Sequence, residues 1–199
     1  MSVDRAALRR ELRTRRRALA ASERIAAAEN LALHLLALPL APASGYVAGY
    51  WAMDAEIALH VWQLKLPRDC IYCLPVLQGE QLRFARWRPG DALATNRFGI
   101  PEPDVDSGSL LDARDMTLVV VPLVGFDVRG NRLGMGGGWY DRSFAFRQQH
   151  HAPPWLVGAA FETQRIQTLD AAPWDVPLDA LCTETTSYDF RASTIASPA

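Results

Sequence analysis

The chain has 199 residues, of which 49% are hydrophobic and 22% charged, with a formal net charge of -1. This composition excludes disordered, collagen-like and low-complexity scaffolds, and the length suits one domain with a real core. A near-neutral balance argues against a dedicated nucleic-acid binder. The charge is uneven, however: residues 1–24 carry eight arginines against Asp4, Glu11 and Glu23, so that stretch sits near +5 and the remainder near -6.

Residues 3–20 read as a basic helix with a sparse apolar stripe of Leu8, Leu12 and Leu19. Ser22 is the expected N-cap of a second helix that ends near Leu38, before Pro39. The uncharged stretch 31–53 imitates a signal peptide, but Pro39, Pro42 and Gly45 interrupt it, so neither cleavage nor a membrane span is expected. Strands are expected at 45–51, 70–77, 82–87, 118–124 and 155–161, the third at a sheet edge. Helices are expected at 59–66 and 139–149. Val119, Val120 and Val121 in a row mark a central strand covered on both faces. Strands alternating with helices imply a single-domain α/β sandwich with a mainly parallel sheet over residues 1–187, and a loose tail over 188–199. Cys70, Cys73 and Cys182 are too few for a disulfide framework and read as buried thiols, which, with no targeting signal, points to the cytoplasm.

The chemistry gathers in two loops. The first runs from Gly125 to Asp141, at the carboxyl end of the central strand, where open α/β sheets place ligands. Gly134, Gly136, Gly137 and Gly138 allow close backbone approach and inward N–H groups, and a helix following them would face an anion with its positive end. Arg129 and Arg132 are candidate phosphate forks, Trp139 and Tyr140 offer flat surfaces, and Asp141 is a candidate magnesium ligand. Neither a Walker A nor a G-x-G-x-x-G pattern is present, so phosphate binding stands beside the plainer reading of a tight glycine turn. The second loop carries Asp175 and Asp179 between prolines; the pair either completes a metal site with Asp141 or is a solvated turn. Glu56, just past the first strand, can bind a polar ligand edge or sit exposed. His150 and His151 lack ligand spacing.

Arg5-x-x-Leu8-Arg9, Met53-x-x-Glu56, Gly99-Ile-Pro-Glu-Pro103, Val121-Pro-Leu-Val-Gly-Phe-Asp127, Gly130-Asn-Arg-Leu-Gly-Met-Gly-Gly-Gly-Trp-Tyr-Asp141 and Asp175-x-x-x-Asp179 occur in this order. The set resembles the 5-formyltetrahydrofolate cyclo-ligase family, also called 5,10-methenyltetrahydrofolate synthetases, over roughly residues 5–185. The resemblance implies a three-layer α/β sandwich with a Rossmann-like sheet, and ATP- and magnesium-dependent closure of 5-formyltetrahydrofolate to 5,10-methenyltetrahydrofolate with release of ADP and phosphate. A monomer is expected, with no nucleic-acid or membrane partner. It implies ATP contacts from Arg5, Arg9, Arg132, Leu133, Gly134, Met135, Gly136, Gly137, Gly138, Trp139 and Tyr140. It implies reduced-folate contacts from Trp51, Glu56, Phe98, Gly137 and Trp139, and Mg2+ ligation by Asp141 and Asp175. One departure stands out. Many members read Gly-Arg-Gly-Lys-Gly where this chain has Gly134-Met135-Gly136-Gly137-Gly138, so Arg5, Arg9 and Arg132 are expected to supply the phosphate-neutralising charge. The alternatives are a non-catalytic folate or nucleotide sensor, and a different enzyme on a similar sheet.

Overall fold

The computed structural model describes residues 4–191. Helix α1 (Arg5–Arg17) starts at Asp4, whose carboxylate accepts the Ala6 and Ala7 N–H groups. Helix α2 (Ala21–Ala37) starts at Ala20 rather than at Ser22. Ala20 has no side-chain oxygen to cap with, and the carboxylate of Glu23 instead reaches back to the Ala20 N–H at 2.7 Å. The chain continues through β1 (Ser44–Ala48), α3 (His60–Lys65), β2 (Asp69–Gln78), β3 (Gln81–Arg86), β4 (Leu93–Thr95) and β5 (Pro101–Pro103). Then follow β6 (Met116–Pro122), β7 (Gly125–Phe126), β8 (Arg132–Leu133), α4 (Trp139–Ser143), β9 (Trp155–Ala159), β10 (Ala180–Cys182) and β11 (Ser187–Asp189).

Seven strands form one sheet in the order β11-β10-β9-β6-β1-β2-β3. Pairings among β10, β9, β6, β1 and β2 are parallel, and the antiparallel strands β11 and β3 close the two edges. Thus β6 lies at the centre, as its valine run predicts, and β3 at an edge. Alternation along β6 splits the core. Leu118 and Val120 pack with Leu31, Leu35, Trp62 and Tyr72 under α2 and α3. Val119 and Val121 pack with Phe84, Phe126, Phe144 and Leu181 on the opposite face. Both faces are therefore covered, the condition for a parallel sheet.

Two expectations need correction. The helix expected over 139–149 stops at Ser143, and residues Ala145–Gln148 form a separate 3-10 turn. Ser143 Oγ donates to the Trp139 carbonyl one turn back and accepts the Leu82 N–H, both at 2.7 Å. That back-bond competes with the helical ladder and ties the segment to β3. The sheet also extends past Tyr188: β11 pairs Leu181 with Tyr188 and Ala180 with Asp189, and Phe190 is buried. The rest of the expected tail, residues 192–199, lies outside the described residues.

Asp179 is part of the frame rather than of a metal site. Both its oxygens receive Arg147 Nη2 at 2.9 Å, and one accepts the Leu156 N–H at 2.7 Å. The two side chains are 16% and 8% exposed. Asp127 forms a second knot, fully buried, binding the Arg129 and Asn131 side chains and the Leu169 N–H. Burial pulls its carboxyl up, but the bonds from Asn131, Leu169 and Arg129 outweigh that and hold it below the ordinary carboxylate range. Stability from this group is therefore complete above the ordinary aspartate range and lost as pH falls through the depressed folded value. Asp127→Asn should flatten the acid side of a stability-versus-pH curve measured by urea unfolding. Asp179→Ala, which strands Arg147, should cost about 3 kcal/mol in the same measurement at neutral pH.

Candidate functional site

Past its carboxyl end, β1 runs into Tyr50 and Trp51, and β6 ends at Pro122. Between them opens a cavity of about 340 Å3. The main-chain hairpin β7–β8 delivers the glycine loop to one wall, and α1 lies across that side. Leu12 of α1 is fully buried beside Val124, Leu133 and Leu169, which fixes the helix against the β7–β8 hairpin. From the same helix Arg5 and Arg9 reach the cavity lining.

The structure brings nearly all of the expected residues to this one cavity. Arg5, Arg9, Trp51, Glu56, Phe98, Arg132, residues 134–138, Trp139, Tyr140, Asp141 and Asp175 all line it. Leu133 does not: it is buried in the small core beneath α1. Arg129 does not either, since it is committed to Asp127 and the Leu169 carbonyl. His150 and His151 are exposed, away from the lining. Cys73 and Cys182 are buried free thiols, each pushed up to about 12 by burial, which removes them from nucleophilic chemistry.

Gly136 and Gly138 adopt φ values of 99° and 65°, left-handed backbone that favours glycine. A Cβ on Gly136 would also lie 3.4 Å from the Arg9 guanidinium carbon. Arg9 Nε donates to the Gly134 carbonyl at 2.8 Å, so α1 holds the loop directly. The helix after the loop has five residues, which leaves little macrodipole. Any anion here would rely on loop N–H groups and arginines instead.

Arg132 is buried and pairs with Asp141 while donating to the Val176 carbonyl. Asp141 also accepts the Val176 N–H at 3.1 Å. Asp175 takes Arg5 at 3.3 Å and the Ala172 N–H at 2.9 Å on the same oxygen. Arg132 is thus buried and engaged before any ligand arrives, whereas Arg9, and Arg5 beside Asp175, are half-buried cations more accessible to an incoming phosphate. Asp141 and Asp175 each keep a second oxygen without a hydrogen bond. Two carboxylates of this kind suit Mg2+ arriving with nucleotide phosphates, since that ion uses one or two carboxylates plus phosphate oxygens. Among the described residues, no cluster of three or more His, Cys, Asp or Glu side chains stands ready for a metal alone.

The opposite wall is aromatic and apolar. Trp51 packs edge-on against Trp87, and Phe98 edge-on against Trp139. The Asn96 carboxamide accepts the Phe98 and Ile100 N–H groups, which sets the loop that carries Phe98. Met53, Phe98, Met135 and Trp174 are large apolar side chains left exposed at this cavity. Such a concentration marks a contact surface for a flat apolar ligand. Glu56 sits below it, with a side chain 13% exposed. Burial raises its carboxyl above the ordinary range, against the Met53 N–H and the Arg16 charge, which lower it. Burial likewise holds the Tyr50 and Tyr140 phenols well above theirs, and the Glu56 charge adds to this.

Sequence reasoning does not mark Tyr50, Asp54 or Asn96 as site residues, although Asn96-x-Phe98-Gly99 carries an Asx-turn signal for the loop that presents Phe98. Nothing in the pattern reveals Asp54, whose carboxylate collects Arg13, Arg16 and Arg17 from α1.

A mainly parallel sheet with this cationic and aromatic cavity at its carboxyl ends defines an α/β protein whose site suits an anionic small molecule with a flat ring system. Residues 1–184 match the model of the 5-formyltetrahydrofolate cyclo-ligase family. The 5-formyltetrahydrofolate cyclo-ligase of Haemophilus influenzae is 35% identical over 176 residues, covering 86% of this chain and 92% of that protein. The enzyme of that name from Escherichia coli K12 is 32% identical over 184 residues, covering 90% and 100%. Among solved structures, the Aquifex aeolicus 5,10-methenyltetrahydrofolate synthetase superposes with a TM-score of 0.80 at 29% identity, covering 95% of this chain and 94% of that one. The Mycoplasma pneumoniae synthetase, at 22% identity and a TM-score of 0.70, shares the fold over 92% of this chain and 99% of its own. The chain belongs to the 5-formyltetrahydrofolate cyclo-ligase family, a family of ligases. No helix among the described residues is long and apolar enough to cross a membrane.

The contrast between the two arginines is measurable. Arg9→Ala should weaken binding of inorganic tripolyphosphate about tenfold by isothermal titration, the loss of one charge-assisted contact. Arg129→Ala should leave that affinity unchanged and lower stability instead.

Proposed function

We propose that this chain converts 5-formyltetrahydrofolate and ATP to 5,10-methenyltetrahydrofolate, ADP and phosphate, with Mg2+ accompanying the nucleotide. The observation that carries the reading is the meeting of two chemically unlike walls in one cavity. The glycine loop with Arg5 and Arg9 suits phosphates, and Trp51, Phe98, Trp139 and Glu56 suit a pterin with polar edges. Family membership supplies the reaction, and the site residues of this chain supply a consistent route.

The 5-formyl group is an amide, and its resonance makes the carbon a poor electrophile. Transfer of the γ-phosphoryl group to the formyl oxygen turns that oxygen into a leaving group. N10 of the same substrate then attacks the formyl carbon, the C–O bond breaks, and inorganic phosphate departs with the oxygen and the N10 proton, leaving the N5–CH–N10 amidinium of the product. No nucleophilic side chain is needed, which agrees with the buried thiols. Catalysis of this kind rests on alignment and on stabilising charge that develops on the transferred group. Arg5, Arg9 and the N–H groups of residues 134–138 would hold the phosphates, and Trp139 would divide the two substrates. Asp141 and Asp175 would hold Mg2+, which supplies charge neutralisation and polarises the phosphoryl group. Glu56 would accept hydrogen bonds from the pterin edge, fixing its orientation. Arg132 keeps Asp141 aimed at the cavity.

The test is the near-ultraviolet absorbance of the methenyl product on mixing the protein with 5-formyltetrahydrofolate, Mg2+ and ATP. Product growth that depends on ATP is expected, and Asp141→Asn should slow it by about a hundredfold or more. Folate binding without any product would overturn the reading in favour of a sensor.

A further inference from the structure

Arg16 is the most deeply buried arginine among the described residues, 1% exposed, and it lies outside the cavity lining. Its Nη2 donates to Asp54 at 3.0 Å. Its Nη1 stands 3.7 Å from Glu56 Oε1, and neither Nη1 nor Nε makes a hydrogen bond. A fully buried guanidinium with two idle donors is costly to keep unless its charge serves a neighbour. The turn that presents both acids is itself unusual. Asp54 and Ala55 adopt φ values of 52° and 59°, left-handed backbone that non-glycine residues avoid. The turn closes by Glu56 N–H to the Met53 carbonyl at 2.9 Å and by Met53 N–H to the Glu56 carboxylate at 3.0 Å. Arg13 at 2.6 Å and Arg17 secure Asp54 from the same helix. Strain held by so many contacts is characteristic of functional turns.

We propose that Arg16 is a positioning residue: clasped by Asp54, its guanidinium sits against Glu56 and keeps that carboxylate a charged acceptor facing the folate side of the cavity. The inference rests on the cyclo-ligase reading and adds to it. It makes α1 a single part with two duties, since Arg5 and Arg9 at one end meet the nucleotide side while Arg13, Arg16 and Arg17 at the other govern the folate side.

The charged and titratable groups around Glu56 set the sign of the test. Arg16 and Arg13 of α1 favour its ionised form, Asp54 on its own turn disfavours it, and Tyr50 and Tyr140 are neutral at working pH. Burial favours the protonated acid. Removing the Arg16 charge should therefore move the acid limb of kcat/KM for 5-formyltetrahydrofolate to higher pH.

The experiment compares pH profiles of kcat/KM for the folate, corrected for the enzyme-free reaction, in the wild type, Arg16→Lys, Arg16→Met and Arg16→Gln. On the acid limb Arg16→Met should fall about tenfold below the wild type, while Arg16→Lys should stay near it. In a Glu56→Gln background Arg16→Met should no longer shift the limb. A merely structural Arg16 would lower the melting temperature of both variants and move neither limb, and that result overturns the proposal. Should Arg16→Met fail to fold, Arg16→Gln, which removes the charge but keeps polar donors beside Asp54, decides: a limb displaced to higher pH supports the proposal, and an unmoved limb overturns it. Turnover with unshifted limbs defeats this inference alone, whereas no turnover in the wild type defeats the cyclo-ligase reading and this inference with it.

Discussion

The cavity depends on the docking of one basic helix. Helix α1 carries a strong excess of arginine, and by itself such a helix would be a solvated rod. Two contacts turn it into a wall. Leu12 is fully buried beneath the β7–β8 hairpin, and Asp54 gathers three arginines from its far end. The first contact supplies apolar burial without direction. The second supplies direction, because a carboxylate bonded by three guanidinium groups fixes both the rotation and the tilt of the helix. With α1 so placed, Arg9 bonds the Gly134 carbonyl and the glycine loop gains its outer support.

A second consequence concerns how charge is stored. Arginines and carboxylates at the site are largely paired in advance: Arg132 with Asp141, Arg5 with Asp175, Arg16 with Asp54 and Glu56. Prepaired charges keep their orientation without ligand, so less reorganisation is needed when phosphate or folate arrives. The same pairing limits which cations remain for phosphate. Arg132 is too deeply committed to be the free cation expected of it, and under the proposed function Arg9, with Arg5 released from Asp175, would carry that duty from the exposed end of α1. On that reading a loop that reads Gly-Met-Gly-Gly-Gly instead of bearing two cations fits its surroundings, because the charge would come from a neighbouring element rather than from the loop.

Much of this arrangement was legible in the chain. The valine run of β6, the edge position of β3 and the covered parallel sheet follow from local patterns with local causes, whereas Glu56, the glycine loop and Asp175 were joined only through the family resemblance, and the fold brings them to one cavity. What escaped reading has non-local causes. Strands β10 and β11 are three residues each and gain their identity only by pairing with β9 and with each other. The helix after the glycine loop was over-extended because the Ser143 back-bond to Trp139, reinforced by the Leu82 N–H, depends on a strand about 60 residues away. Asp179 looked like a partner for Asp175 because both sit in one short loop. The fold turns Asp179 inward to Arg147 and Asp175 outward to Arg5.

Asp54 is the clearest case of this limit. In the sequence it is one acid in an uncharged region, beside a glutamate that resembles a folate contact. Its partners lie 37 to 41 residues earlier, on a helix whose arginines look interchangeable. Helical spacing does order them, since Arg9, Arg13 and Arg16 recur at four and three residues and so share a face with Leu12 and Arg5. That face was visible, but its target was not, because the target is built by two left-handed residues without glycine. A turn of that kind persists only when surrounding contacts over-determine it, and here the surrounding contacts are the arginines themselves. Helix and turn thus specify each other: the turn is held by the helix it orients, and the glutamate at its end inherits both constraints.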